Sequence, residues 1–539
     1  MKRDTLSAIA ASTLVWLVGF PTVAANKEPG KTDTAIFSIC RVEQYVAIPD
    51  GSRRLTIENG MGDGGFTIAT TNPQAQQWFD YGIKLFHAFY HDDAKLVFDN
   101  AVAADPNCAM CLWGQALSRG PTQNYDVSKD ELKTALEMAR KALAAANTDR
   151  DRALAQAMVR RTSRDQDPAA ERDFAADLQK ADAQTPDLQL LAAEMLLTAW
   201  RRGDHGAAPQ AMALVEAVLR QTPQNTAAIH YYIHATEMSG RAALALAYAD
   251  KLAALAPRAS HLVHMAAHTF FHVGRYEDAA TINAFALRVD ADHLTDTKAP
   301  GIPADAFYYG HNLNFGMAGA LMSGDSALAL KFADHLHRAW PDKAFARDGM
   351  SDMEGQRFII YARYDPARLW PLREPSGRLA RALYHYARGE AYAARHDAAG
   401  VMREAAFLRG NTLPLAVVAR GVLAGRLAML RGRYADAAEA FAAAAVKQDT
   451  ILGTAWDPPP FWYPVRRSAA AAYLLDGQFA KAAETATASL QTWPDDPLTL
   501  LILSRAKEGL GRAAESRDDS AKAAAMWEGD IAKVDVTII

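Results

Sequence analysis

The sequence predicts an all-α protein assembled from repeated helix hairpins, and three observations carry that prediction. The phrase GRYEDAA at 274–280 returns as GRYADAA at 432–438, with the variants GRAALAL at 240–246 and GQFAKAA at 477–483. Gly240 to Gly274 is 34 residues, as is Gly477 to Gly511, and Gly432 to Gly477 is 45, one period plus an 11-residue insertion. That insertion holds the proline-rich WDPPPF at 456–461. Half of the 539 residues are hydrophobic and alanine is abundant, so a large helical core is within reach. A single hairpin cannot bury its apolar face alone, so a fixed period of this length implies neighbours stacked into a superhelix.

Taken in order, residues 1–25 read as an export signal. Lys2 and Arg3 precede an apolar run from Leu6 to Phe20, and PTVAAN offers small residues for cleavage after Ala24 or Ala25. This places the mature chain in the periplasm or outside the cell. Residues 26–72 form a short irregular or β-containing N-terminal extension, with strand signals confined to 41–72, where RLTIENG and GFTIAT flank a glycine-rich turn. An N-terminal array spans 73–343, a connecting segment 344–379, a C-terminal array 380–530 and a tail 531–539. DADHLTDTKAPGIPADAF at 290–307 reads as a loop interrupting the array. No apolar run after the signal reaches the ~18 residues a membrane span needs. A net charge of -4, with scattered arginines, argues against a nucleic-acid surface.

One period is filled as follows: Trp78, Gly82, Ala94, Phe98, Ala101 and Pro106 fall at positions 4, 8, 20, 24, 27 and 32 counted from Ala75. Small residues let antiparallel helices approach, large ones fill the gap, and proline ends the second helix. In this pattern the chain resembles the tetratricopeptide repeat. The resemblance implies a right-handed superhelical solenoid whose first helices line a concave face, with positions 2, 5, 9, 12 and 13 pointing into it.

That register gives the histidines meaning. With Ser260 as position 1, His264 and His268 are positions 5 and 9; with Thr226 as position 1, so are His230 and His234. Two i, i+4 pairs one period apart thus occupy equivalent points on consecutive first helices, and each pair can chelate a metal. His311 and His261 fall at position 2, Glu237 at 12 and His272 at 13, around the same groove. His87 and His91 in HAFYHDDA form another i, i+4 pair, further along the array. The competing readings are a polar substrate-binding cluster and histidines serving only as packing.

The phrases AQQWFDYGIKLFHAFYHDDA, DPNCAMCLWGQAL, HYYIHATE, HLVHMAAHTFFHVGRYEDA, YYGHNLNF and WDPPPFWYPVR, across about 70–470, resemble a group of exported bacterial tetratricopeptide-repeat proteins. The resemblance marks His91, His230, His234, His264, His268 and His311 as pattern positions. The chain departs from it at Ala266 and Ala267, where the group often has proline-serine, and at Asn314, where it often has histidine.

CAMC sets Cys108 and Cys111 at a helix start, and a disulfide within it, or from Cys40 to one of them, is the expected state in an oxidising compartment. Arg388 and Arg426 at position 9 of their repeats, with Trp456, Trp462, Tyr463, Arg466 and Arg467, offer a second surface, suited to an anionic group or a peptide carboxylate. The leading expectation is a copper or zinc ion held by His230, His234, His264, His268 and His311, acting on a small molecule. The alternative is a non-enzymatic scaffold holding a peptide or protein partner in the groove.

Overall fold

The computed structural model describes residues 55–296, 306–339, 351–452 and 458–539. Among them the regular structure is helical throughout, and successive helices pair as antiparallel hairpins from Pro73 to Met526. The helices start where their caps dictate. Asn72 accepts from the Gln74 amide with Pro73 in the first turn, Ser128 and Glu131 form a capping box, and Asn225 accepts from the Ala228 amide.

The recurring GR phrase is a chain-reversal device. Gly274 has φ 81°, its N–H bonds to Phe271 O, and the Arg275 N–H bonds to Phe270 O. This closes the helix with a left-handed residue that only glycine adopts without strain. Gly240, Gly432, Gly477 and Gly511 repeat the same bonding and the same positive φ, which explains why the phrase recurs. Inside a hairpin the small–large pairing is literal: a Cβ on Gly82 would lie 2.6 Å from the ring of Phe98.

First helices of neighbouring hairpins lie side by side. Pro186–Arg201 touches Thr226–Met238, which touches Ser260–His272, which touches Ala306–Ser323. The first helix of the array, Pro73–His87, also meets Thr226–Met238, bringing the opening hairpin against residues some 143 positions away. One apolar core runs from Met61 to Trp493.

Three segments outside the clear repeats take a definite shape. Residues 55–72 form no strand; those before 55 lie outside the described residues. Their backbone partners are groups of the helical array: Asp63 N–H donates to Thr226 Oγ1 (2.7 Å), Gly65 N–H to Asp187 Oδ1 (3.0 Å), and Gly60 O accepts from Arg258 N (3.0 Å). The alternating apolar residues Phe66 and Ile68 bury against helices, which produces a strand-like pattern without a sheet. The expected loop at 290–307 begins late, because Tyr276–Asp296 stays helical through Asp290 and His293; 297–305 lie outside the described residues. Within the segment 344–379, the described residues include the helix Ser351–Tyr364, which packs on Arg378–Ala394. The export signal, Cys40 and Trp456 lie outside the described residues.

Candidate metal centre

The two helices Thr226–Met238 and Ser260–His272 carry almost no amphipathic contrast, because nearly all their residues are buried. Helical spacing puts His230 and His234 on one stripe, and His264 and His268 on the next. The side chains converge in two all-histidine sets, with a third grouping of His234, Glu237 and His268 spanning them. In one, single ring nitrogens of His230, His234 and His261 all lie within 4.8 Å of one another; in the other, those of His264, His268 and His311 do. The sets adjoin, with ring centres 5.4 Å apart for His234 and His268 and 5.7 Å for His261 and His264.

The outer nitrogens fix the ring orientations. Asn283 commits its amide NH2 to Ala279 O (2.7 Å), so its Oδ1 accepts from His264 Nδ1 at 2.7 Å. Glu237 accepts from His268 Nδ1 at 2.9 Å and pairs with His272 Nε2 at 2.9 Å. With Nδ1 donating in each, His264 Nε2 and His268 Nε2 present lone pairs, and they face each other at 3.0 Å. His311 Nε2 stands 3.4 Å from His268 Nε2. A four-coordinate ion with nitrogens at about 2.0–2.1 Å holds them roughly 3.3 Å apart. The carboxylate and amide behind the rings are the kind of outer partner that orients metal-bound histidines.

In the other set, His230 Nδ1 donates to the His87 carbonyl (2.7 Å), and its Nε2 faces His261 Nε2 at 3.2 Å. Burial drives His230 down to about 3, outweighing the bond to His87 O, which raises it. Burial, then the neighbouring His230, pushes His261 well below the ordinary histidine range. Both rings are therefore neutral, the form that binds metals.

The expected open groove is instead enclosed here. His230 and His264 are fully buried, and His234, His261 and His268 nearly so, while His311 and His272 are half-buried. The covering group is Phe89, in the turn after the first helix, whose ring lies 4.4 Å from that of His230 and 4.8 Å from that of His261. Phe89 holds φ 61°, a left-handed conformation unusual for an aromatic residue. Tyr308 covers His261 (4.6 Å), and Phe315 packs against His268 (4.6 Å), His264 and His311 (both 5.2 Å). His311 forms the half-buried edge of the cluster.

The remaining candidates sort clearly. The side chain of His87 faces Tyr231 Oη (3.0 Å) and Asp187 (3.3 Å); only its carbonyl reaches the cluster. His91 is fully buried beside Phe86, Phe89 and Tyr125, and neither ring nitrogen has a partner. Burial, followed by the nearby Lys95, lowers it to about 3. Asn314, one turn after His311, is buried with Oδ1 unpartnered. Arg388 pairs with Glu404 (2.9 Å) and Arg426 with Glu390 (3.1 Å), in the C-terminal hairpins. Trp462, Tyr463 and Arg467 are buried, and Arg466 pairs with Asp449. Cys108 and Cys111 are joined in a disulfide.

Sequence reasoning missed Phe89, Tyr308, Phe315 and Asn283. Asn283 alone left a trace, as an amide amid alanines and aromatics in AATINAFAL.

No family model and no curated protein matches the chain. Among solved structures it is similar to the TPR domain of P58(IPK), at 13% identity and TM-score 0.22, covering 86% of this chain and 95% of that one. It is also similar to a chain of the APC/C hetero-tetramer Cut9–Hcn1, at 13% identity and TM-score 0.30, covering 82% and 78%. Such scores carry no argument, and the all-α hairpin repeat rests on this chain's own helices.

Proposed function

We propose that this chain is an exported metal-binding solenoid protein in which His264, His268 and His311 hold a transition-metal ion. The observation that carries the reading is the pair of Nε2 acceptors 3.0 Å apart, each with its Nδ1 already engaged. Two facing acceptors repel unless a cation joins them, and an ion with imidazole ligands supplies one. A shared proton on His268, stabilised by Glu237, is the competing arrangement. An all-nitrogen set suits copper or zinc. Three protein ligands would leave a position for a small molecule arriving past His311, which the ion would polarise as a Lewis acid.

The enclosure of the histidines by Phe89, Tyr308 and Phe315 favours an ion and a small ligand over a peptide lying along these helices. Export fits the Cys108–Cys111 disulfide, since such bonds persist in oxidising compartments. Elemental analysis of protein purified without a histidine tag tests the reading. A stoichiometric metal, lost in His264→Ala/His268→Ala while helicity persists, supports it. Metal-free protein that takes up neither Cu(II) nor Zn(II) sinks it and leaves the proton bridge.

A further inference from the structure

The histidines outnumber what one ion takes. A tetrahedral ion accepts four ligands, yet six imidazoles converge here in two groups of three. His230, His234 and His261 come from positions 5, 9 and 2 of two neighbouring first helices, and His264, His268 and His311 from positions 5, 9 and 2 of the next pair. The second group is thus the first moved along by one repeat. A device built once by the superhelix is built again beside itself.

The first group also has the marks of a ligand set in its own right. His230 has its Nδ1 on a main-chain carbonyl, the arrangement that fixes Nε2 as the coordinating atom. His261 is 3% exposed, its Nε2 is 3.2 Å from His230 Nε2, and its Nδ1 has no partner. Phe89, held at φ 61°, covers both rings and keeps bulk water from them; such a conformation survives where the surroundings enforce it. Glu237 stands between the groups, near His234 and His268, with its two oxygens meeting His268 and His272.

We infer that His230, His234 and His261 bind a second transition-metal ion, so that the chain holds a dinuclear centre with three imidazoles to each ion. The word dinuclear rests on the reading of His264, His268 and His311 above, but this ligand set is assigned on its own geometry. Two ions held in these adjoining sets would supply Lewis acidity to a small oxygen ligand such as water or hydroxide.

Metal-free, untagged protein titrated with Cu(II) tests this. The wild type is expected to take up two equivalents, His261→Ala one and His311→Ala one, with helicity checked by circular dichroism. Magnetic coupling should make the resonance signal of the doubly loaded wild type integrate to less than its copper content, and each variant recover the full signal of its single ion. If His261→Ala fails to fold, His261→Asn provides the same count. One equivalent in the wild type, kept by His261→Ala and lost by His311→Ala, overturns the second site and leaves the first reading standing. No uptake by any form overturns both.

Discussion

The histidine-bearing hairpins and the arginine-bearing hairpins solve one problem in opposite ways. Position 9 of a first helix carries His234 and His268 in one region and Arg388 and Arg426 in the other. In the C-terminal hairpins the cations are met by carboxylates: Arg426 by Glu390, Arg388 by Glu404 and, at a neighbouring point, Arg467 by Asp496 at 3.0 Å. Arg426 further donates to the Ile539 carbonyl at 2.9 Å, so the tail closes that face. The histidine region instead gathers imidazoles whose Nε2 atoms face one another, with one carboxylate, Glu237, among them. The arginine region is electrostatically finished by its own side chains, whereas in the reading proposed above the histidine region is completed by a bound cation.

Breaking the finished region should have the largest effect. Arg467 and Asp496 are both buried, so Asp496→Ala strands a guanidinium away from water. A loss of about 3–5 kcal/mol is expected. Urea unfolding should show it as a large drop in midpoint.

Adding the cation should sharpen the contrast next. An ion that binds only the folded state at a hundredfold its Kd adds about 2.7 kcal/mol. Cu(II) or Zn(II) should therefore raise the melting temperature of the wild type and leave His264→Ala/His268→Ala unmoved. A shift equal in both proteins would assign the metal to some other place.

A pH series separates the regions by a third route. His91 sits at about 3 in the folded protein, against about 6.5 unfolded. The folded state thus binds fewer protons, and the stability this group confers is complete above pH 6.5 and declines as pH falls towards 3. At pH 5 the loss is roughly 2 kcal/mol for this one group. His91→Phe should flatten the acid limb of a urea-midpoint profile by about that amount. An unchanged limb would mean that His91 keeps access to protons in the folded state.

How far the sequence discloses each region follows from what periodicity encodes. The 34-residue period reveals the hairpins because Gly240, Gly274, Gly432, Gly477 and Gly511 each meet the same left-handed backbone demand. Register also brings His230, His234, His264 and His268 to one face, since equivalent positions on stacked helices must align. The period says nothing about contacts between non-neighbouring repeats. The return of the first hairpin, which puts Phe89 over the rings and the His87 carbonyl on His230, is therefore invisible in it. The apolar residues of 55–72 mimic a strand because burial against helices and burial in a sheet impose the same alternation. Asn283 escaped notice because one amide on a second helix looks like any surface residue until its partner is known.

Asn283 also offers the finest test of the contrast, through Asn283→Leu. The side chains are similar in size, so packing is largely retained, while His264 Nδ1 loses its acceptor at 2.7 Å. In the metal-free protein His264 can then move its proton to Nε2 and donate it to His268 Nε2, already 3.0 Å away. The substitution replaces a repulsion with a hydrogen bond, so metal-free stability should change by less than about 1 kcal/mol. A metal ion needs that same Nε2 lone pair, and losing an outer partner of this kind weakens affinity tenfold to a hundredfold. Competition with a chelator of known affinity reads the Kd, and urea unfolding reads the stability. If Asn283 only packs, the outcome reverses: stability falls with the lost bond and metal affinity stays where it was. The arginine region admits no such separation, because there the partner that orients the charge is also the one that neutralises it.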